Sequence, residues 1–356
     1  MPKEFRVGIV GAASSYSLHY PEALNKLPGV KAVGMAHLDR DPRYIRDSLN
    51  LWWLAKYPKT VEGMADRWGL KVYEQAEEMY DDANLDAVCI CTEDYLHLYH
   101  AKLAMERGLH VFVPKPFAKS VEEATELFGM AKEKGVVAVG SLPHRHRANS
   151  VLASQLIDEG AIGRPISGHF TIDHHITLGG WKSDPSMASG PEYEIGFYVF
   201  DQMRMMMKSD VATVTALAAN LDHRGIPFID NAKCLVQCEN GALASIDLLL
   251  GMHQHFPGGR TLYVVGDEGA LAVEPVEGGK EVVAIYTPDG SKRVDVPSWN
   301  PFERELGAWM EICRGDGNAA AWQEEDLKTL ELISAFKQAH QCGGTVTLRC
   351  VQMVEG

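Results

Sequence analysis

The sequence of 356 residues lacks three features that would each indicate a class of protein. It has no excess of basic residues. Its formal net charge of −14 disfavours a general nucleic-acid or anionic-membrane partner, because such surfaces attract Lys and Arg. It has no apolar run near the roughly 20 residues that cross a bilayer. The start at Met1 also lacks the apolar core of a signal peptide. We therefore expect a cytoplasmic protein.

Cysteine is present but lacks the arrangement of a disulfide framework. The seven cysteines are an odd number with scattered spacing. Cys89 and Cys91 fall in one apolar run, while Cys234 and Cys238 bracket another. We expect all seven to be reduced thiols that pack as small hydrophobic residues.

The order of apolar segments predicts two domains, as the length also suggests. Up to about residue 140, short apolar strands alternate with amphipathic helices, which is typical of βαβ units and a parallel sheet. After Gly140, many β-like runs follow one another with few helices, which indicates a largely antiparallel sheet. The segment Arg43–Trp68 is longer than a crossover needs and predicts an inserted helix.

Lys115 is the first candidate for chemistry. It stands between Pro114 and Pro116 at the end of the apolar run Val111–Val113, and open α/β sheets bind ligands where parallel strands end. Both prolines restrict the backbone, so the lysine is presented on a stiff segment. A lysine held in a cleft can transfer a proton or polarise a hydroxyl. On these residues alone, a surface lysine in a proline-rich loop is an equal alternative.

The turn after the first strand carries part of a dinucleotide-binding fingerprint. In the pattern G-x-G-x-x-G, Gly11 is in register, but Ala13 and Tyr16 occupy the second and third glycine positions. Taken alone, a plain strand–turn–helix is the better interpretation. Ser14 and Ser15 could donate hydrogen bonds to a pyrophosphate where the glycines are missing, or could only cap the following helix.

Further motifs, in order along the chain, resemble those of the Gfo/Idh/MocA oxidoreductases. They extend from about residue 5 to about residue 350 and comprise Gly8–Leu24 (with His19 and Pro21), Cys91–His97, Gly108–Ala118, Arg145, Gly160–Gly163, Gly180–Pro185, Ser189–Asp201 and Gly266–Leu271. The resemblance implies an α/β Rossmann domain with a parallel sheet over residues 1–143. It implies next an α+β domain with a large, mostly antiparallel open sheet over residues 144–356, which binds substrate and forms a homodimer or homotetramer.

The resemblance implies an NAD(P)-dependent oxidoreductase that transfers a hydride between nicotinamide and a hydroxyl carbon of a sugar, polyol or related carbohydrate-like small molecule. Two alternatives stay open. One is a redox-neutral enzyme that processes glycosides with tightly bound NAD, and the other is a non-catalytic dinucleotide-binding regulator. The substitutions at Ala13, Tyr16 and Pro114 favour the regulator, whereas the retained Lys115 argues against it.

Three residues match catalytic positions of the family. The resemblance implies that Lys115 reaches both nicotinamide and the reacting hydroxyl, and that Tyr198, in place of a histidine, is the general acid/base. Glu194, in place of an aspartate, could hold substrate hydroxyls or orient Tyr198. Because Pro114 replaces the glutamate that usually precedes the lysine, we expect Lys115 to find its partners at Tyr198 and Glu194. Tyr198 as a core aromatic residue and Glu194 as a helix-start carboxylate are the alternatives.

The cofactor is expected to be NAD or NADP. His37 falls where an acidic ribose-binding residue is usual; Asp39 would favour the free 2′-hydroxyl of NAD, and Arg40 the 2′-phosphate of NADP. The resemblance implies cofactor contacts from Gly11, Ala13, Ser14, Ser15, His37, Asp39, Arg40, Thr92, His97 and Lys115. It implies substrate contacts from Arg145, Trp181, Lys182 and Asp201.

The 14 histidines include three close pairs, His144/His146, His174/His175 and His253/His255. On a strand, residues two apart share a face, so the last pair could chelate a metal. No third ligand with the spacing of a metal site is evident, and the family pattern uses none. We therefore expect histidines that face solvent or substrate, and no metal site.

Overall fold

The computed structural model describes residues 4–36, 58, 60–82, 84–173, 179–251 and 262–348. Outside these residues lie His37, Asp39 and Arg40, together with the pairs His174/His175 and His253/His255 and most of the predicted insertion. The part of that insertion within the described residues does form a helix, at Val61–Trp68.

The strands form two sheets. In the first, all pairs are parallel and the order is β3-β2-β1-β4-β5-β6. In the second the order is β14-β13-β12-β11-β7-β10-β9-β8-β15, and only the pair β7–β10 is parallel. Strands β1–β6 span Phe5–Val10, Val30–Ala36, Lys71–Tyr73, Ala87–Ile90, His110–Val113 and Ala138–Gly140. Strands β7–β15 span Pro165–Asp173, Val211–Ala219, Asn231–Cys238, Leu243–Leu249, Leu262–Gly266, Ala270–Val276, Lys280–Thr287, Gly290–Asp295 and Thr345–Thr347.

Helices cover the first sheet and one face of the second. Numbered within the described residues, α1–α10 span Tyr16–Leu24, Val61–Trp68, Ala76–Asp82, His97–Glu106, Val121–Lys134, Ala148–Asp158, Pro191–Glu194, Gly196–Met207, Pro301–Cys313 and Ala319–Cys342. Short 3₁₀ turns lie at Asp94–Leu96, Pro143–His146, Gly180–Ser183 and Glu277–Gly279. None of the helices in the described ranges combines the length and the apolar character that crossing a membrane requires.

The fold class predicted from the sequence is confirmed. The order of the first sheet is that of a dinucleotide-binding Rossmann sheet, whose ligand site lies where the strand order reverses, between β1 and β4. The carboxyl ends of β1, β4 and β5 therefore bring three turns together. These are the turn at Gly11, the turn at Thr92 and the segment of Lys115.

Some elements differ from the sequence prediction. The pattern predicts one helix over Glu194–Met207, but the structure breaks it at Ile195, so that Glu194 ends α7 and Tyr198 lies in the first turn of α8. The pattern predicts a last helix over Glu325–Ala339, but the helix begins earlier, at Ala319, where the Asn318 side chain accepts a hydrogen bond from the Ala321 N–H. The pattern of apolar residues does not predict strand β14, because this strand is polar, mostly exposed and at the edge of its sheet.

The hydrophobic core beside β1 and β4 is completed by a helix from late in the chain. Leu306, Trp309 and Met310 of α9 are buried in the cluster that contains residues of β1, β4 and β5. The Trp309 ring lies 5.1 Å from that of Phe112 on β5, measured between centroids. The six cysteines within the described residues are free thiols, four of them buried.

Candidate active site

The turn after β1 closely approaches the turn after β4. Gly11 has a positive φ of 81°, and a Cβ atom there would lie 2.8 Å from Cγ2 of Thr92, so only glycine fits. The Ala13 N–H donates to the Cys91 carbonyl over 3.0 Å. The one fingerprint glycine that the sequence retains is therefore the one that lets these two turns meet.

The two serines of this turn differ in their contacts. The Ser14 hydroxyl accepts a hydrogen bond from the Tyr16 N–H at 3.2 Å, which is the capping role that the sequence left open. The Ser15 side chain makes no capping bond. Within the described part of the chain, no hydrogen bond engages the N–H of Ser14 or Ser15, so both remain as donors at the start of α1.

His97 connects the turns that follow β4 and β5. Its Nδ1 lies 2.9 Å from the Pro116 carbonyl oxygen and its Nε2 lies 3.2 Å from that of Thr92. The ring is buried, with 3% of the residue exposed. These contacts fix the backbone on both sides of the cleft, including the residue that follows Lys115.

Lys115, Glu194 and Lys182 form a buried ion cluster. Lys115 Nζ lies 2.6 Å from Glu194 Oε2, and Lys182 Nζ lies 2.8 Å from the same oxygen. The Lys115 and Glu194 side chains are almost fully buried, whereas 23% of the Lys182 side chain is exposed. The predicted contact between Lys115 and Glu194 is thus present, and Lys182 joins it.

Opposite charges decide the protonation of this cluster. Burial alone would raise the pKa of Glu194, but Lys115 and Lys182 outweigh it and lower that pKa to about 2. Burial would lower the pKa of Lys115, but the charge of Glu194 outweighs it and the pKa is raised. At neutral pH, Lys115 is therefore an ammonium group and Glu194 a carboxylate. Lys115 can donate a hydrogen bond and stabilise negative charge, but it does not act as a base.

Tyr198 lies beside this cluster. Lys115 Nζ is 4.8 Å from the centroid of the Tyr198 ring, and the His144 ring stacks on its face at 4.8 Å with an interplanar angle of 22°. The hydroxyl oxygens of Tyr198 and Tyr16 are 2.5 Å apart. The ring is therefore packed, as the core alternative requires, while its hydroxyl is held in a polar contact.

Asp94 is a part of the site that the sequence reasoning did not single out. It is buried in the turn after β4 and accepts a hydrogen bond from the Ser189 N–H at 2.7 Å. Burial, and then the nearby charge of Glu194, raise the pKa of Asp94. Its only sequence signal was its place in the Cys91–His97 motif.

Trp181 connects the second domain to the dinucleotide turn. Its Nε1 donates to the Ala13 carbonyl over 2.9 Å, and the residue is 2% exposed. The adjacent Lys182 reaches Glu194. One short segment, Gly180–Ser183, thus contacts both the turn expected to hold cofactor and the ion cluster.

Arg145 and Asp201 form an ion pair. Arg145 Nε lies 2.7 Å from Asp201 Oδ1, and its guanidinium also lies 2.6 Å from Glu325 Oε2. Asp201 is 1% exposed. Among the described residues, no hydrogen bond or ion pair connects this pair to Lys115 or Glu194. The nearby His146 stacks on Trp322 instead of converging with His144.

A Rossmann sheet with a buried lysine and carboxylate and a partly buried tyrosine beside its ligand-binding edge is typical of the class of nicotinamide-dependent oxidoreductases. Two family models match the chain: "Oxidoreductase family, NAD-binding Rossmann fold" over residues 5–141, and "GFO/IDH/MocA C-terminal domain" over residues 151–272. The chain belongs to the Gfo/Idh/MocA family, as its motifs predicted, and is an NAD(P)-dependent oxidoreductase.

Individual relatives are distant. A 1,5-anhydro-D-fructose reductase from Ensifer adhaerens is 27% identical over 290 residues, which cover 77% of this chain and 83% of that protein. An oxidoreductase from Agrobacterium radiobacter, in complex with NAD+, L-tartaric acid and magnesium, shares the fold with a TM-score of 0.79, 21% identity and coverage of 97% and 98%. A 3-ketoreductase from Actinomadura kijaniata, in complex with NADP and TDP-benzene, has a TM-score of 0.78, 19% identity and coverage of 95% and 98%.

Proposed function

We propose that this protein transfers a hydride between the nicotinamide of NAD or NADP and a hydroxyl-bearing carbon of a sugar, polyol or related small molecule. The observation that carries the proposal is the cluster of the buried Lys115 and Glu194 with the partly buried Tyr198, beside the carboxyl end of β5. The reductase from Ensifer adhaerens, which acts on a sugar derivative, supports the substrate class.

The first turn fits a dinucleotide in spite of its two missing glycines. Gly11 permits the close approach to Thr92, and the N–H groups of Ser14 and Ser15 are available to a pyrophosphate at the start of α1. The Tyr16 side chain leaves the turn, since its hydroxyl reaches Tyr198. We assign the pyrophosphate to this turn. The ribose contacts go to His37, Asp39 and Arg40, which lie outside the described residues, and further contacts to Thr92 and His97.

The chemistry of the proposal divides between cofactor and protein. When bound, the nicotinamide supplies the hydride acceptor or donor. Tyr198 takes the proton of the substrate hydroxyl during oxidation and returns it during reduction. The Lys115 ammonium group polarises the same oxygen and stabilises the charge that develops on it, and Glu194 fixes Lys115 in place.

We assign the substrate side of the cleft to four residues. One contacts substrate directly and three act indirectly: Lys182, and then Trp181, Arg145 and Asp201. Lys182 is partly exposed and next to Glu194, which suits a direct contact with a substrate hydroxyl. Trp181 positions Lys182 through its bond to Ala13. Arg145 and Asp201, which bind each other, would shape the cleft from behind α8.

We also propose that the protein is a cytoplasmic homodimer or homotetramer that associates through the open face of the second sheet. That face carries large exposed apolar side chains on five of its strands, namely Leu217, Leu235, Leu243, Tyr263 and Tyr286. The free thiols within the described residues suit a reducing compartment. Light scattering on purified protein tests the association, since a particle of 39.2 kDa would contradict it.

The test of the proposed reaction has two stages. Fluorescence titration of the purified protein with NADH and with NADPH first measures cofactor binding. A panel of aldoses, polyols and sugar acids is then screened for formation of reduced cofactor, and the corresponding keto sugars for its consumption. We expect binding of one cofactor in preference to the other and turnover of at least one compound. Failure to bind either cofactor would overturn the proposal.

A further inference from the structure

Tyr16 replaces the third glycine of the dinucleotide fingerprint, yet its side chain has a defined position away from the turn. It is 6% exposed. Its ring lies 5.2 Å from that of Tyr20 and meets the Phe302 ring edge-on at 6.0 Å. This aromatic packing directs the hydroxyl of Tyr16 to the hydroxyl of Tyr198, 182 residues later in the chain.

The surroundings of Tyr16 keep its hydroxyl protonated. Burial, and then the proximity of Tyr198, raise the pKa of Tyr16 well above its ordinary value. Tyr16 therefore stays neutral and retains an O–H to donate. Within the described residues, no other hydrogen bond reaches the hydroxyl of Tyr198. When Tyr198 loses its proton, Tyr16 is the neighbour that donates to the phenolate.

We propose that Tyr16 is a positioning residue for the acid/base Tyr198, a role that rests on the proposed function. Its O–H holds the Tyr198 hydroxyl in one orientation and stabilises the phenolate that must exist before a substrate proton can be accepted. In the oxidation step, the substrate O–H bond breaks and its proton passes to the Tyr198 oxygen. Tyr16 keeps its own proton throughout. Its O–H donates to the Tyr198 phenolate before the transfer and to the neutral Tyr198 hydroxyl after it.

This role also connects two parts of the site. Tyr16 begins α1, the helix whose first N–H groups face the proposed pyrophosphate site, while Tyr198 lies in the first turn of α8. A single side chain thus ties the cofactor turn to the proton-transfer group. Tyr16, at the third glycine position of the fingerprint, therefore supplies a hydroxyl contact that glycine could not make.

The first test needs no substrate. Protein labelled with carbon-13 at Cζ of tyrosine is titrated with base by NMR, and the Tyr198 resonance is assigned by its loss in Tyr198→Phe. We expect Tyr16→Phe to move the titration of that resonance upward by about one pH unit or more, since a hydrogen bond to a charged group is lost. Tyr80→Phe is the matched control, because Tyr80 is equally buried and lies in α3.

The second test uses the best compound of the substrate screen. Tyr16→Phe should lower kcat for oxidation by about tenfold to about a hundredfold near neutral pH, and should move the basic limb of the pH–rate profile upward. The KM for the cofactor should change little. In the Tyr198→Phe background, Tyr16→Phe should have no further effect on kcat, because the group it acts through is gone.

The outcomes separate the two proposals. An unchanged Tyr198 titration in a Tyr16→Phe protein of unaltered thermal stability would overturn the positioning role, whatever the activity screen gives. An equal loss of kcat in the wild-type and Tyr198→Phe backgrounds would overturn it as well. A shifted titration without turnover of any compound would support the contact and count against the proposed reaction.

Discussion

Of two buried glutamates in this protein, one is charged at neutral pH and the other is neutral. Glu194 touches Lys115 and Lys182, and its pKa is lowered to about 2. Glu305 of α9 accepts hydrogen bonds from the Ser141 hydroxyl at 2.9 Å and the Leu142 N–H at 2.7 Å, and burial raises its pKa to about 8. Burial acts in the same direction on both carboxyls. The presence or absence of a cation therefore decides which one is charged at neutral pH.

The two carboxyls also serve different parts of the molecule. Glu194 holds a lysine in the cleft, where a charge can assist chemistry. Glu305 holds the segment that follows β6, and Asp326 of α10 accepts a hydrogen bond at 2.8 Å from the N–H of Gly140, the last residue of β6. Burial likewise raises the pKa of Asp326 well above its ordinary value. Two carboxyls that burial keeps neutral thus hold α9 and α10 against the end of β6, whereas the charged carboxylate lies in the candidate site.

We expect the largest effect on activity from removing Lys115 from the charged cluster. Lys115→Ala should lower kcat by orders of magnitude, because the ammonium group that polarises the reacting oxygen is lost. The dissociation constant of the cofactor should change much less. Steady-state kinetics and cofactor titration measure the two effects. Lys102→Ala, which breaks an exposed pair with Glu126, is the control. An unchanged kcat would make Lys115 a structural residue.

The second prediction compares the loss of stability when each of the two glutamates is replaced by glutamine. Glu194→Gln leaves two lysines without their counter-ion and should lower the free energy of unfolding by roughly 3 kcal/mol at pH 7. Glu305→Gln exchanges one neutral group for another and should cost much less. Urea unfolding of both variants at pH 7 gives the comparison. Equal losses would show that the cation contacts do not set the charge state of Glu194.

A third prediction concerns the dependence of stability on pH. The pKa of Glu305 is raised from 4.5 to about 8, so between these values the folded state holds a proton that the unfolded state has released. Stability contributed by this group is complete below about pH 4.5 and is lost as pH rises toward 8, at up to about 1.4 kcal/mol per unit. Glu305→Gln should flatten this part of the profile. Urea unfolding from pH 5 to 8 measures the slope, and an unchanged slope in the variant would contradict the assignment.

The smallest effect is expected at the exposed edge of the cluster. Lys182→Gln removes one of the two cations, but Lys115 still compensates Glu194. We expect KM for the substrate to rise by about tenfold or less, with a smaller change in kcat, because one hydrogen bond to a substrate hydroxyl is lost. Kinetics with the best compound of the screen measure this. A loss of kcat as large as that of Lys115→Ala would place Lys182 at the reacting oxygen.

The sequence predicted the fold, because the alternation of strands and helices indicates a parallel sheet, and the family resemblance predicted the pairing of Lys115 with Glu194. It did not predict the contact of Tyr16 with Tyr198 or that of Trp181 with Ala13. These partners are far apart in the chain, and no local pattern encodes which of them meet. Likewise, a family position implied a substrate contact for Arg145, but only the structure shows that Asp201 and Glu325 surround it.

The helix α9 has a consequence for how the chain is made. A growing chain that has reached residue 143 contains all six strands of the first sheet, but it lacks Leu306, Trp309 and Met310, which are buried in the same core cluster as Phe112. Part of that sheet's apolar surface must stay uncovered during synthesis until α9 emerges from the ribosome. A nucleotide-binding fragment cut at residue 143 would keep that surface open and tend to aggregate. The first sheet thus acquires its complete apolar covering only after most strands of the second sheet have been synthesised.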